Sequence, residues 1–313
     1  MHVVLAGGVG AAKFLRGLSN VVPSKEIVAI VNTGDDDTFH GLWVSPDLDT
    51  VTYTLAGLSN DTLGWGVKDE SFQAMHVLSQ LGGESWFSLG DRDLGTHLYR
   101  TDKLAAGFSL TEITKEIALA RHVGVRLLPM SDDRVKTTLT IRENGVDRVV
   151  GFQEYFVKLA HKPDVVSISY EGAASASPAA GVVEAIESAD TVIIAPSNPV
   201  LSIGPILAIP EIEMAIRAAR HKTTAVSPIV GGRAIKGPAE SNLRSLHGDA
   251  SAATVALLYR PYCSRFVLDQ ADLGLKAEVE GLSMEALVTD SIMANPELET
   301  SFARRVVDFA RAS

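Results

Sequence analysis

One cysteine, Cys263, is all the thiol chemistry the chain carries. That excludes an internal disulfide and a cysteine-ligated metal cluster, and fits a reducing, cytoplasmic setting. Positive charge is also short. Twenty-eight lysines and arginines stand against 38 acidic residues, a net charge of −10 over 313 residues. Such a balance argues against nucleic acid as a partner. Anionic small molecules stay open, because a glycine loop and a few local cations suffice to hold a phosphate. The start of the chain lacks a basic region followed by a long apolar stretch, so no signal peptide is expected. Uncharged runs are scarce too. Residues 191–210 carry no charge but contain Pro196, Pro199, Pro205 and Pro210. Prolines at that density leave backbone groups unpaired in lipid. The segment reads as a buried strand, residues 191–195, followed by an uncharged loop, and no membrane is expected as a partner.

The most informative stretch is residues 2–14. Val3, Val4 and Leu5 read as a short buried strand, Gly7, Gly8 and Gly10 follow, and a helix begins near Ala11. Strand, glycine loop and helix together present backbone N–H groups to a phosphate. Lys13 in the first helical turn adds a point charge. The stretch departs from the dinucleotide fingerprint, because Lys13 stands where a third glycine belongs. It also lacks the P-loop pattern. The plainer reading is a tight turn without a ligand.

Apolar runs at residues 27–31, 85–89, 123–128, 165–168, 191–195, 223–227 and 265–268 alternate with helical patterns. This predicts an α/β fold, a Rossmann-like, mostly parallel sheet with helices on both faces. Residues 137–142 and 147–152 flank Asn144-Gly145, a hairpin signal inside that pattern. Residues 280–312 read as C-terminal helices. We expect one nucleotide-binding domain over 1–313, with a small insertion near 130–175.

The loops after these runs hold the candidate chemistry. Asp35, Asp36 and Asp37 follow the second run, and Asp47 and Asp49 open a helix soon after. Hard oxygen donors beside a phosphate loop suit Mg²⁺. The plainer readings are a solvated turn and, for Asp47, a helix cap. Asp91-Arg92-Asp93 either shapes its own loop or brings Arg92 to a substrate anion. His97 reads as a packed helix residue. Pro129–Asp133 is a further acidic loop. Ser197, Asn198 and Ser202 offer neutral hydrogen bonds on a proline-stiffened loop. Gly231, Gly232 and Arg233 follow the next run and suit a phosphate edge.

In order along the chain stand Gly7-Gly8-Val9-Gly10 with Lys13, Asn32-Thr33-Gly34-Asp35-Asp36, Ser45-Pro46-Asp47-Leu48-Asp49-Thr50, and Leu89-Gly90-Asp91-Arg92-Asp93. Leu128-Pro129-Met130-Ser131-Asp132-Asp133, Pro196-Ser197-Asn198-Pro199, Ser202-Ile203-Gly204-Pro205 and Ser227-Pro228-Ile229 complete the series. Together they resemble the 2-phospho-L-lactate transferase family of coenzyme F420 biosynthesis. The resemblance implies transfer of a phospho-acid from a guanosine diphosphate ester of lactate or enolpyruvate to the ribityl hydroxyl of the deazaflavin Fo. GMP is released, Mg²⁺ is required, and the enzyme is a cytoplasmic homodimer. It also implies that Gly8, Gly10, Lys13, Asn198, Ser202 and Gly204 hold the guanosine diphosphate portion. Asp49, with Asp35 and Asp36, would meet Fo or the metal. Ser88 stands where many members carry a lysine associated with Fo, and Val9 where many carry threonine. The alternatives are a non-enzymatic nucleotide- or sugar-nucleotide-binding regulator of the same superfamily and an NAD(P)-linked oxidoreductase. The missing third glycine argues against the latter. Trp43, Trp65 and Trp86 all lie in the region expected to receive Fo.

Overall fold

A computed structural model describes residues 1–60 and 66–312. Its strands are β1 (His2–Ala6), β2 (Ile27–Val31), β3 (Asp37–Phe39), β4 (Leu42–Val44), β5 (Arg126–Pro129), β6 (Lys136–Glu143) and β7 (Val146–Gly151). Then come β8 (Asp164–Glu171), β9 (Thr191–Ile194), β10 (Thr223–Val226), β11 (Ile229–Val230), β12 (Arg233–Ala234), β13 (Arg265–Asp269) and β14 (Glu285–Thr289).

Seven strands form one parallel sheet in the order β14-β13-β10-β9-β1-β2-β5. The central strands are mostly apolar because both faces are covered, with His2, Thr191, Thr223 and Thr224 the buried polar exceptions. Every residue of β1, β2, β9 and β10 is buried. One core lies on each face. Val3, Leu5, Ile30, Ile194 and Phe266 belong to the first, and Val4, Ala29, Ile193, Phe14 and Phe302 to the second. In the second, helix α1 (Gly8–Ser19) packs on the C-terminal helix Pro296–Arg311, with Phe14 edge-on to Phe302 at 6.1 Å.

The chain path matters for function. It runs outward from β1 through β2 to β5, then returns to the other side of β1 and runs outward through β9, β10, β13 and β14. Strand order therefore reverses between β1 and β9. Doubly wound sheets open a crevice at the carboxyl ends of the strands at such a point.

Three expectations are corrected. Residues 85–89 form no strand. Their aromatic side chains turn onto one another instead: Phe87 stacks on Phe39 at 3.7 Å and Trp86 meets both edge-on. Length and composition alone do not distinguish such a cluster from a buried strand. Residues 165–168 do lie in a strand, β8, but in a separate antiparallel sheet of order β7-β6-β8. β8 is largely exposed along its length, unlike the doubly covered parallel strands. Within residues 280–312, Glu285–Thr289 is the seventh parallel strand, and Pro296–Arg311 is helical as expected. Pairing with β13 decides the state of β14, against the weak strand preference of its Glu and Ala. The hairpin expectation holds. β6 and β7 pair antiparallel through Asn144 and Gly145, whose φ values of 53° and 79° are those an Asn-Gly turn supplies.

Candidate active site

The crevice between β1 and β9 has one neutral wall. Helix α1 starts directly after β1, and its N-cap residue Gly7 offers no side chain to the first N–H groups. Gly8 has φ of 70°, a conformation that favours glycine. Gly10 is required for a different reason. A Cβ there would lie 2.3 Å from the Pro196 carbonyl oxygen, so only glycine lets α1 and the loop after β9 meet. Ser197 Oγ ties the same loop to the Gly7 carbonyl at 2.8 Å. Asn198 Oδ1 accepts from the backbone N–H groups of Val200 and Leu201, and its Nδ2 donates to Asn242 at 3.1 Å. Ser202 and Gly204 continue this wall, through a helical turn where the sequence suggested only a loop.

The opposite wall is acidic. Asp35, Asp36, Asp47 and Asp49 are 5, 3, 7 and 5 % exposed. Helix α2 (Pro46–Leu55) begins after Ser45, which makes no side-chain cap, and Asp47 and Asp49 sit in its first turn. Asp47 therefore caps a different helix: its Oδ1 accepts from Gly8 N–H at 2.7 Å, at the N-terminus of α1. This is the position an anionic ligand takes at a helix start. Asn32 bridges the wall, donating to Asp47 at 2.9 Å and to Asp35 at 3.2 Å. Asp36 accepts from Ser45 Oγ at 2.6 Å and Trp43 Nε1 at 3.2 Å. Burial drives the carboxyl of Asp35 well above its ordinary value, reinforced by the charges of Asp47 and Asp36. Burial also pushes Asp36 up to about 8, against hydrogen bonds from Ser45 and Trp43 and the charge of Arg100. Asp47 rises to about 6 for the same reason, against hydrogen bonds from Asn32 and Gly8.

Behind this wall lies a group that the sequence reading did not bring together: His97 is the packed helix residue expected, at 1 % exposed, but Arg100 was not singled out. The helix Asp91–Ala105 turns Asp93, His97 and Arg100 to one face, at spacings of four and three residues. Arg100, 2 % exposed, meets both oxygens of Asp49, with Nη1 at 3.1 Å from Oδ2 and Nη2 donating to Oδ1. His97 Nδ1 lies 3.7 Å from Asp49 and Nε2 3.3 Å from Asp93, which also accepts from Tyr53 at 2.6 Å. One ligand atom each of Asp49, Asp93 and His97 falls within 4.8 Å of the others. The Asp-x-x-x-His-x-x-Arg spacing was the available signal.

The remaining candidates are placed as follows. Lys13 Nζ donates to the Met293 carbonyl at 3.0 Å. Arg92 is exposed, and its Nη1 donates to the Lys68 carbonyl at 3.1 Å. Ser88 is half-buried. Gly231 and Gly232 form the turn between β11 and β12, and Gly231 N–H donates to Asp272 at 3.0 Å. Trp43 joins the acidic wall through Asp36, Trp86 packs in the aromatic cluster, and Trp65 lies outside the described residues.

The donor set fits a hard divalent cation. Four carboxylates are buried here, one of them (Asp49) paired with the buried Arg100 guanidinium, and Asp36 Oδ1 has no hydrogen-bond partner among the described residues. A divalent cation bound here would add positive charge and take oxygen ligands of this kind.

A doubly wound α/β sheet with a glycine turn on one lip and buried carboxylates on the other places the chain in the Rossmann-like α/β class. Residues 3–287 match the family model described as 2-phospho-L-lactate transferase CofD, and the chain belongs to that family. A phosphoenolpyruvate transferase from Streptomyces griseus is 44% identical, over 98% of each chain. One from Mycolicibacterium smegmatis is 39% identical, over 99% of this chain and 98% of its own. A 2-phospho-L-lactate transferase from Methanococcoides burtonii is 36% identical, over 97% of this chain and 98% of its own. A crystal structure of a UPF0052 family member from Bacillus halodurans superposes with a TM-score of 0.63 over 98% of both chains. At 17% identity it speaks for the fold alone. Among the described residues no single helix is long and apolar enough to cross a membrane.

Proposed function

We propose that this chain transfers a phosphorylated three-carbon acid from its guanosine diphosphate ester to the ribityl hydroxyl of deazaflavin Fo, in coenzyme F420 biosynthesis. The observation that carries this reading is 44% end-to-end identity with a relative named phosphoenolpyruvate transferase. The buried acidic wall supports it, since a non-enzymatic binder has no use for that wall. We take the donor acid to be enolpyruvate, because the relatives named for phosphoenolpyruvate reach 44% identity against 36% for the lactate-named one.

The ribityl oxygen bonds to the phosphorus carrying the acid, the phosphoanhydride bond to GMP breaks, and GMP leaves with the electron pair. Such a reaction needs positioning and charge neutralisation more than covalent help. Gly8, Gly10, Asn198, Ser202 and Gly204 seat the guanosine diphosphate portion, with Lys13, Gly231 and Gly232 at its edge. Asp47 must release the Gly8 N–H when a phosphate arrives there. Asp35, Asp36 and Asp49 hold Mg²⁺, which supplies charge neutralisation on the diphosphate. A carboxylate of this wall accepts the ribityl proton. Ser88 and Arg92 border the acceptor. The working form is a cytoplasmic homodimer.

The test is a product assay. Purified protein, Fo, Mg²⁺ and either the enolpyruvyl or the lactyl guanosine diphosphate ester are incubated, and the products are weighed by mass spectrometry. GMP and a phosphoenolpyruvyl-Fo product are expected. Unchanged Fo with both donors would overturn the transferase reading, and lactyl product alone would overturn the donor assignment.

A further inference from the structure

Arg100 is a costly residue to bury. Its side chain is 2 % exposed, and its Nε has no hydrogen-bond partner among the described residues. Breaking up a charge pair in such surroundings is unfavourable, but simply filling the site with apolar side chains is often neutral or stabilising. Stability alone therefore gives little reason for a guanidinium here. Its surroundings give a better one. Both oxygens of Asp49 face its two terminal nitrogens in the forked geometry that fixes a carboxylate plane. The remaining Nη1 neighbours are the Trp43 carbonyl at 3.5 Å and His97 Nδ1 at 3.3 Å. The guanidinium thus sits behind Asp49, on the side of the Asp91–Ala105 helix.

We propose that Arg100 is the positioning residue of this site. It fixes the plane of the Asp49 carboxylate and sets the net charge of the acidic wall. Asp49 keeps lone pairs directed away from the fork, because a carboxylate offers about four acceptor sites and the guanidinium uses two. Arg100 touches neither substrate nor metal and acts through Asp49. The inference rests on the transferase reading for its turnover arm only.

A double-mutant cycle tests it. The variants are Arg100→Met, Asp49→Asn and the pair, with Arg100→Lys as the charge-keeping control and circular dichroism to establish that each folds. Arg100→Met is expected to lower kcat at least about a hundredfold with donor KM changed less than threefold. Added to Asp49→Asn it is expected to lower kcat by less than a further threefold, because a residue acting through Asp49 has nothing left to act on. Multiplying losses would overturn the proposal, since a merely structural role adds in both backgrounds.

Mn²⁺ binding, followed by electron paramagnetic resonance without donor or acceptor, is the second arm. Removing a buried positive charge beside the carboxylates should tighten Mn²⁺ about tenfold or more in Arg100→Met. Arg100→Lys should bind as wild type does while losing about tenfold in kcat, because it keeps the charge and loses the fork. Mn²⁺ binding that weakens or stays unchanged in Arg100→Met would overturn the charge-setting role. Wild type is measured first. Its failure to turn over counts against the transferase reading and leaves the Mn²⁺ arm of this proposal standing.

Discussion

From Gly7 to Gly10 and from Pro196 to Gly204 the crevice wall carries no charged side chain. Across from it, Asp35, Asp36, Asp47 and Asp49 are buried together. The neutral wall is held by backbone approach: Gly10 against Pro196, Ser197 on Gly7, Asn198 on its own turn. The acidic wall is held by side chains that bind one another: Asn32, Ser45, Trp43 and Arg100 each take a carboxylate. Shape and neutral hydrogen bonds suit a nucleoside, whose recognition gains little from charge. Carboxylates suit the reacting end, where cation and diphosphate meet. The contact between the walls, Asp47 on the Gly8 N–H at 2.7 Å, couples the two.

The largest expected effect belongs to the acidic wall. Asp49→Asn keeps the shape and removes the charge, and turnover should fall at least about 10²-fold. The variant also leaves Arg100 buried without its counter-charge, which destabilises by about 3–5 kcal/mol. Melting is therefore followed alongside steady-state kinetics. GDP affinity, read by calorimetry, should change far less than turnover. An equal loss of both would show that the two walls do not divide the work.

The neutral wall should fail in the opposite order. Gly10→Ala drives a methyl group into the Pro196 carbonyl, a backbone atom that no side-chain rotation can move aside. Overpacking of this kind destabilises by about 1–3 kcal/mol. The expected outcome is a lower melting temperature and weaker GDP binding, with the pH dependence of residual turnover unchanged. A Gly10→Ala protein that melts and binds GDP as wild type does would contradict the close approach.

Much of this division was legible in the sequence, and the misses have physical causes. The glycine turn after β1 and the uncharged loop after β9 showed as composition, because their work is done by backbone. Asp35, Asp36 and Asp49 showed as clusters. Asp47 was readable as a helix cap, but not as the cap of α1, because that contact spans 39 residues. His97 was readable as a packed helix residue, but its place beside Asp49, and Arg100 altogether, were hidden for a similar reason. Their helix lies far along the chain from Asp49, and a buried polar face on it looks in sequence like an ordinary solvated one. The strand at residues 85–89 failed because three apolar or aromatic residues (Trp86, Phe87 and Leu89) in a short run do not reveal whether a ladder or a ring cluster buries them. β14 failed because its state is decided by β13.

A smaller effect should appear with pH in metal-free protein. Asp47 and Asp36 titrate at about 6 and about 8 in the fold, above their ordinary value of 3.8. A carboxyl raised on folding favours the protonated form. Its contribution is fully present below 3.8 and is lost as pH rises through 6 and 8. Metal-free protein should therefore melt lower at pH 8.5 than at pH 5.5, and Mg²⁺ should recover the difference at pH 8.5. Asp36→Asn should flatten the upper part of that slope. A melting temperature that rises across this window, or one that Mg²⁺ leaves unmoved at pH 8.5, would break the link between buried acid and cation on this wall.

The smallest effect sharpens the comparison at its far edge. Ser88 is half-buried near the aromatic cluster of Phe39, Trp86 and Phe87, and it has no charge to give. If the acceptor ring system is received by apolar surface there, the serine contributes at most one neutral hydrogen bond. Ser88→Ala should then weaken Fo binding by about 0.5–1.5 kcal/mol, with GDP binding unchanged. Quenching of tryptophan fluorescence by Fo measures this directly, because Trp86 lies against the same cluster and Trp43 on the acidic wall. Complete loss of Fo binding would make Ser88 a principal anchor and place polar recognition where the structure shows stacked rings. Ser88→Lys carries the comparison one step further. A new ammonium beside this ring cluster should strengthen Fo binding only if the acceptor presents an acceptor atom or a negative charge there. An unchanged affinity would assign recognition at this edge to the rings.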